Sequence, residues 1–235
     1  MENRRAHFPK IEIFKAAFWD QRAAELVHMQ IESVLRRRGH CNILLTGGAA
    51  ATKMYSAWSR LFDIRSLKNV SFFFGDERCV PPDHPDSNYG MAMRTLFRVG
   101  IPQDCTVHRM EAESDDLEAA AYRYSAVMPK SVDILLLGVG EDGHIASLFP
   151  YSAALHENIR RVLPIIGPKQ PYQRLTITPP VILQAHLTFI LAVGAAKASL
   201  LAHALRMPIN IDALPVHLAI KGTWLLDTPL NGFDM

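Results

Sequence analysis

The strongest chemical signal in the chain is a histidine in a glycine-rich turn. His144 sits in GVGEDGHIAS (138–147), straight after the most apolar run, DILLL (133–137). An unperturbed imidazole titrates near pH 6.5, so it can take up and return a proton at neutral pH. Asp142, two residues earlier, can fix the ring's tautomer or bind substrate. Backbone N–H groups around 140–143 are the expected donors to a developing oxyanion.

Three other sets of residues carry charge or conformational freedom at the ends of apolar runs. GDER (75–78) follows VSFFF (70–74). It reads either as a surface ion-pair cluster or as a site in which Arg78 meets a phosphate or sugar oxygen and Asp76 accepts hydrogen bonds from hydroxyls. The next segment, PPDHPD (81–86), reads as rigid and extended. It leads to Ser87 and Asn88 at a helix start and, with His84, would suit a substrate rim. In TGGAAA (46–51), Gly47 and Gly48 allow close approach of an anion to the backbone and to a helix N-terminus. A tight turn without a ligand is the alternative, and the segment is neither a Walker loop nor a dinucleotide GxGxxG turn. Arg174 opens a strand candidate. Lys197 lies just after Gly194 at the start of a helix, where a cation is disfavoured unless an anion sits there.

These residues need elements to hold them. Apolar spacing predicts helices over 12–38, 49–61, 87–96, 115–127 and 195–205. Short apolar runs predict strands at 42–46, 70–74, 106–110, 133–137, 174–178, 187–193 and 223–226, with a further strand after Arg160-Arg161. Strands alternating with helices imply an open, mostly parallel, Rossmann-like α/β sheet with helices on both faces, in one domain over 1–235. Ligands of such sheets sit beyond the C-terminal strand ends, which gathers the loops after 46, 74, 137 and 193 on one edge. The remaining histidines lack ligand spacing, and Trp19, Trp58 and Trp224 are expected in the core or an interface.

Composition narrows the classes. The 235 residues carry a formal net charge of +2, too small to argue for nucleic acid or an acidic membrane surface. Arg36-Arg37-Arg38 reads as a solvated helix end that complements the dipole. The 3 cysteines, Cys41, Cys79 and Cys105, have neither disulfide-framework nor zinc-knuckle spacing. The N-terminal MENRRAHFPKIEIF has no apolar signal region, and no run approaches a membrane span, so a cytoplasmic location is expected.

GDERCVPPDHPDSNYG (75–90) and DILLLGVGEDGHIASLFP (133–150), with TGG (46–48), RLTITPPVI (174–182) and VGAAKASLL (193–201), resemble the 6-phosphogluconolactonase family, within a larger glucosamine-6-phosphate isomerase/deaminase-like group. The resemblance runs from the first helix to about residue 227. It implies hydrolysis of 6-phospho-D-glucono-1,5-lactone without a metal or organic cofactor. It implies His144 as catalytic base with Asp142 beside it. It also implies Arg174 and Lys197 as phosphate ligands aided by Gly47 and Gly48, and Asp76 and Arg78 as polar groups of the site. Where the family often has Ser, Thr or Pro after the paired glycines, this chain has Ala49-Ala50-Ala51, so hydroxyl contacts to phosphate from there are absent. Deaminases of the group carry a glutamate where this chain has Phe149, which removes an acid/base partner that their reaction uses. A non-catalytic sugar-phosphate sensor would be expected to carry a DNA-binding segment, and no basic stripe marks one.

Overall fold

A computed structural model describes residues 9–230; the first part of the charged N-terminal stretch lies outside them. Seven strands form one parallel sheet in the order β1-β10-β9-β6-β2-β3-β5. They are β1 (Lys10–Ile13), β2 (Cys41–Leu45), β3 (Lys68–Phe74), β5 (Asp104–Val107), β6 (Ile134–Gly138), β9 (Leu187–Ala192) and β10 (Thr223–Leu226). The runs ILL, FFF and LLL sit here because side chains alternate between faces and both faces are covered. Ile43, Leu45, Phe72, Phe74 and Leu136 pack with α1 (Trp19–Arg38), α2 (Ala49–Leu61) and α3 (Asn88–Thr95). Their neighbours Leu44, Phe73, Leu135 and Leu137 share a core with α4 (Leu117–Val127), α5 (Pro179–Leu183) and α6 (Ala195–Arg206) on the other face. Trp19, Trp58 and Trp224 are all core residues.

Strand order reverses at β2, which lies between β3 and β6. Crossovers leave that point in opposite directions, so a crevice opens beyond the C-terminal ends of β2 and β6. Thr46 Oγ1 accepts from Gly138 N–H at 3.0 Å, stitching the two strands together at the crevice floor.

The first helix begins later than its spacing predicts. Residues 10–13 instead form the edge strand β1, paired with β10. A single 3-10 turn, Ala16–Phe18, then leads into α1. The buried stripe of α1 is Trp19, Ala23, Val27, Ile31 and Val34, whereas Phe18 and Met29 are exposed. Gly39, at φ 74°, ends the helix in the left-handed conformation that glycine adopts without strain. Arg38 is not merely solvated: its guanidinium lies 2.5 Å from the buried carboxylate of Asp133, which also accepts from Asn42 N–H.

Arg174 does not belong to the main sheet. It lies on β8 (Gln173–Ile177), the middle strand of a small antiparallel sheet between β4 (Asp76–Arg78) and β7 (Val162–Ile166). Gly75 joins the sheets, donating to Leu45 O and accepting from Ile177 N–H, both at 2.9 Å. The third main-sheet strand predicted at 106–110 ends earlier, at Val107. The PPDHPD segment is folded into two consecutive turns rather than extended: His84 N–H donates to Pro81 O and Ser87 N–H to His84 O, each at 3.0 Å. Pro82 and Pro85 occupy the second turn positions, where a fixed φ suits the bend.

Candidate active site

A cavity of about 290 Å³ lies in the crevice. Of the residues singled out from sequence, Gly47, Gly48, Asp76, Arg78, Asn88, His144, Arg174 and Lys197 line it. Asp142 and Ser87 do not. Asp142 stands behind His144, with Oδ1 2.5 Å from Nδ1. Ser87 caps α3, its hydroxyl accepting from Gly90 N–H at 2.9 Å.

The Asp142–His144 pair is built by a tight loop. Gly140 N–H donates to His144 O at 2.8 Å, and Gly143 N–H to Gly140 O at 3.2 Å. A Cβ on Gly140 would fall 2.0 Å from His144 Nδ1 and 2.4 Å from Asp142 Oδ1, so only glycine leaves room for the pair. The same bonds engage the N–H groups of Gly140 and Gly143, which removes two of the oxyanion donors expected from sequence. Burial works against ionisation of Asp142. The hydrogen bond from His144, its charge and Lys169 outweigh burial and hold the carboxyl below its ordinary range. An ionised carboxylate only accepts, so Nδ1 carries a proton, and in the neutral ring Nε2 keeps its lone pair. Phe149 packs against the ring at 4.7 Å between centroids, and the guanidinium of Arg174 lies 5.5 Å from the Phe149 ring centre.

GDER is not a surface ion-pair cluster. Asp76 and Glu77 are both buried. Glu77 accepts from the backbone N–H groups of Arg78, Asn88 and Tyr89 and from the Ser87 hydroxyl, which ties β4 to the start of α3. Burial pushes its carboxyl above the ordinary range, and those N–H donors partly offset the rise. Asp76 accepts from Ser147 Oγ at 2.6 Å and from Asn88 Nδ2 at 3.0 Å, so both its oxygens already have protein donors.

Cations converge on the cavity from three directions. Arg78 donates to Asp86 O at 2.7 Å, while its buried Nε has no hydrogen-bond partner among the described residues. Arg174 spends two donors on the hairpin before β8, Nε on Pro171 O at 3.0 Å and Nη2 on Lys169 O at 3.3 Å. Its guanidinium is held below its ordinary range by burial and then by Arg78. Lys197, on the first turn of α6, is lowered by burial, against which Glu141 and Asp142 act. Helices α2 and α6 both begin at glycines with positive φ, Gly48 at 91° and Gly194 at 96°, and neither start has a side-chain cap. The start of α2, Gly48 to Ala50, lines the cavity with its free N–H groups and positive dipole end, whereas Gly194 N–H, at the start of α6, donates to the Asp227 carboxylate at 2.7 Å.

Sequence reasoning missed Lys53, which lines the cavity one turn into α2, and the roles of Thr46, Ser147 and Phe149. Lys53 had a signal in its distance from the paired glycines. Ser147 and Phe149 act through contacts with β4 and β8 that spacing does not reveal. His84 accepts from Asp86 N–H at 3.1 Å and does not line the cavity. Among the described residues no three His, Cys, Asp or Glu side chains gather to hold a metal, and no helix is long and apolar enough to cross a membrane.

Relatives share this architecture. A 6-phosphogluconolactonase from Mycobacterium tuberculosis is 34% identical, covering 94% of this chain and 94% of its own. One from Synechocystis is 35% identical over 75% of this chain and 76% of its own. The structure of 6-phosphogluconolactonase from Trypanosoma brucei matches with a TM-score of 0.76 at 28% identity, over 93% of this chain and 95% of that one. A 6-phosphogluconolactonase from Shewanella baltica shares the fold, with a TM-score of 0.81 at 22% identity over 93% and 96% of the two chains. The family described as glucosamine-6-phosphate isomerases/6-phosphogluconolactonase matches residues 16–226, and the chain belongs to it.

Proposed function

We propose that this protein is a 6-phosphogluconolactonase, hydrolysing 6-phospho-D-glucono-1,5-lactone to 6-phosphogluconate in the oxidative pentose phosphate pathway. The carrying observation is the Asp142–His144 pair beside a cavity whose other walls bear Arg78, Arg174 and Lys197. The names of relatives matched over nearly the whole chain support the same reading. The chain acts as one domain, in the cytoplasm, on a small sugar phosphate, with no nucleic-acid or membrane partner and no cofactor.

A lactone is already electrophilic at its carbonyl carbon, so water suffices as nucleophile once a base stands beside it. His144 Nε2 takes a proton from water as the water oxygen bonds to C1. The carbonyl electron pair moves onto its oxygen, where the cationic side chains lining the cavity, Arg78 among them, stabilise it. Collapse breaks the bond from C1 to the ring oxygen, which takes the proton back from Nε2. The acid product then ionises in solvent. Asp142 holds the proton on Nδ1 throughout and stabilises the transient imidazolium.

Remote binding orients the carbonyl. The phosphate is held by Lys197, Lys53 and the uncapped start of α2, so backbone donors and lysines replace the hydroxyls that Ala49-Ala50-Ala51 lack. Phe149 fills the place of a second carboxylate with an apolar ring against His144. The deciding assay offers fresh lactone, read by a pH-stat or a coupled dehydrogenase, in parallel with glucosamine 6-phosphate, read by ammonia release. Accelerated lactone opening without ammonia is expected; ammonia release without lactone opening would replace this function with deamination.

A further inference from the structure

We infer that Ser147 is a positioning residue for His144, acting through Asp76; the inference rests on the lactonase reading above. Ser147 is fully buried, so its hydroxyl has no access to solvent. Both of its polar groups are engaged at once. Oγ donates to Asp76 Oδ2 at 2.6 Å, a charge-assisted length, and the backbone N–H donates to Thr176 Oγ1 at 3.1 Å. Thr176 is itself fixed by donating to Ile177 O at 3.0 Å. The residue three places after His144 is thereby fastened to both β4 and β8.

The segment between them explains why such fastening matters. Ala146, on the cavity wall, has φ 48°. A left-handed alanine is strained and persists only where its surroundings impose it. One side is held by the antiparallel bridge of Ile145 to Val139 and by Gly140 N–H on His144 O. On the other, Leu148 N–H closes a turn onto Ile145 O at 2.9 Å, and Ser147 ties that turn to β4 and β8. Without that tie, Ala146 relaxes toward an ordinary conformation, and the rotation is taken up at His144.

The tether continues beyond Asp76. Asn88 Nδ2 spans Asp76 O and Oδ1 at 2.9 and 3.0 Å. Asn88 Oδ1 lies so close to Gly47 that a Cβ there would meet it at 1.9 Å. One buried chain of contacts thus sets the catalytic loop against the Gly47-Gly48 loop, fixing the spacing between proton transfer and phosphate.

The test compares wild type, Ser147→Ala, Ser147→Ala with Ala146→Gly, and His144→Ala in lactone hydrolysis. Ser147→Ala should lose about 10- to 100-fold in kcat, as expected for a displaced base, with KM within about twofold. Ala146→Gly removes the left-handed strain and should recover part of that loss in kcat counted per folded molecule, a readout that a merely destabilised fold does not move. Wild-type kcat in Ser147→Ala overturns the inference. If Ser147→Ala does not fold, Thr176→Val carries the test: lowered kcat at constant KM supports the tether, and unchanged kcat overturns it. A wild type that opens no lactone defeats the lactonase reading instead. The tether is then judged by the crystal structure of Ser147→Ala, where an undisplaced His144 ring refutes it.

Discussion

Arg78 and Arg174 stand directly opposite each other in the antiparallel pairing of β4 with β8. Like charges so placed are mutually unfavourable, by about 0.2–1 kcal/mol in exposed sheets. Here both line a cavity, Arg174 is buried, and Arg78 Nε has no protein partner. An anionic or strongly polar ligand between them would relieve the repulsion, which supports the proposed reading of the pair as a ligand site.

Arg174 has two duties, and its variants should reveal both. Arg174→Ala should raise KM about tenfold or more, the loss expected for a charged hydrogen bond. It should also expose the hairpin 167–172 to limited proteolysis, because Pro171 O and Lys169 O lose their donors. Arg174→Lys should not restore the hairpin, since an ammonium lacks the planar fork. An unchanged KM with normal protease resistance would remove Arg174 from the site.

Gly140 and Asp142 should fail in the same way. Gly140→Ala inserts a Cβ where His144 Nδ1 and Asp142 Oδ1 now meet, and Asp142→Asn replaces the acceptor-only carboxylate that selects the tautomer with an amide that can also donate. Each should lower kcat about 10²-fold or more, while product affinity, measured by calorimetry with 6-phosphogluconate, stays near wild type. A fall in affinity with kcat retained would contradict the assignment.

Lys197 sets a pH dependence of binding. Burial lowers it from the ordinary 10.5. A phosphate dianion favours the ammonium and raises it again, so binding takes up a proton between the two values. Affinity for 6-phosphogluconate should therefore be full below the free-protein value and fall as pH rises through it. Lys197→Arg should abolish that alkaline decline, because arginine stays charged. A titration with no alkaline decline in wild type would exclude Lys197 from the phosphate site.

Glu77 makes a stability prediction. Its folded carboxyl is raised above the unfolded one, so the folded state binds the proton more tightly. Its contribution is present below the unfolded value and is lost as pH rises through the folded value. Urea denaturation across that window should show this decline in wild type and a flatter profile in Glu77→Gln. Equal slopes would mean that Glu77 is not desolvated.

The site was legible in sequence wherever chemistry followed a strand end. His144, Asp142, Gly47 and Gly48 follow apolar runs that could only be central parallel strands, and those strands share one C-terminal edge. Lys197 was readable from its conflict with a helix dipole. The second sheet was not readable: QRLTI alternates no differently from a main-sheet strand, and its antiparallel pairing with DER depends on a register fixed by Gly75. The same gap hid the buried state of Asp76 and Glu77 and the anchoring of Ser147. The start of the first helix was misread because KIEI is short enough to satisfy either period.

The most direct measurement is kcat of His144→Ala on fresh lactone, corrected for spontaneous opening, together with 6-phosphogluconate affinity of the same variant. General-base action by His144 requires a loss of at least about 10²-fold in kcat with affinity largely kept. Turnover equal to wild type after correction would contradict it.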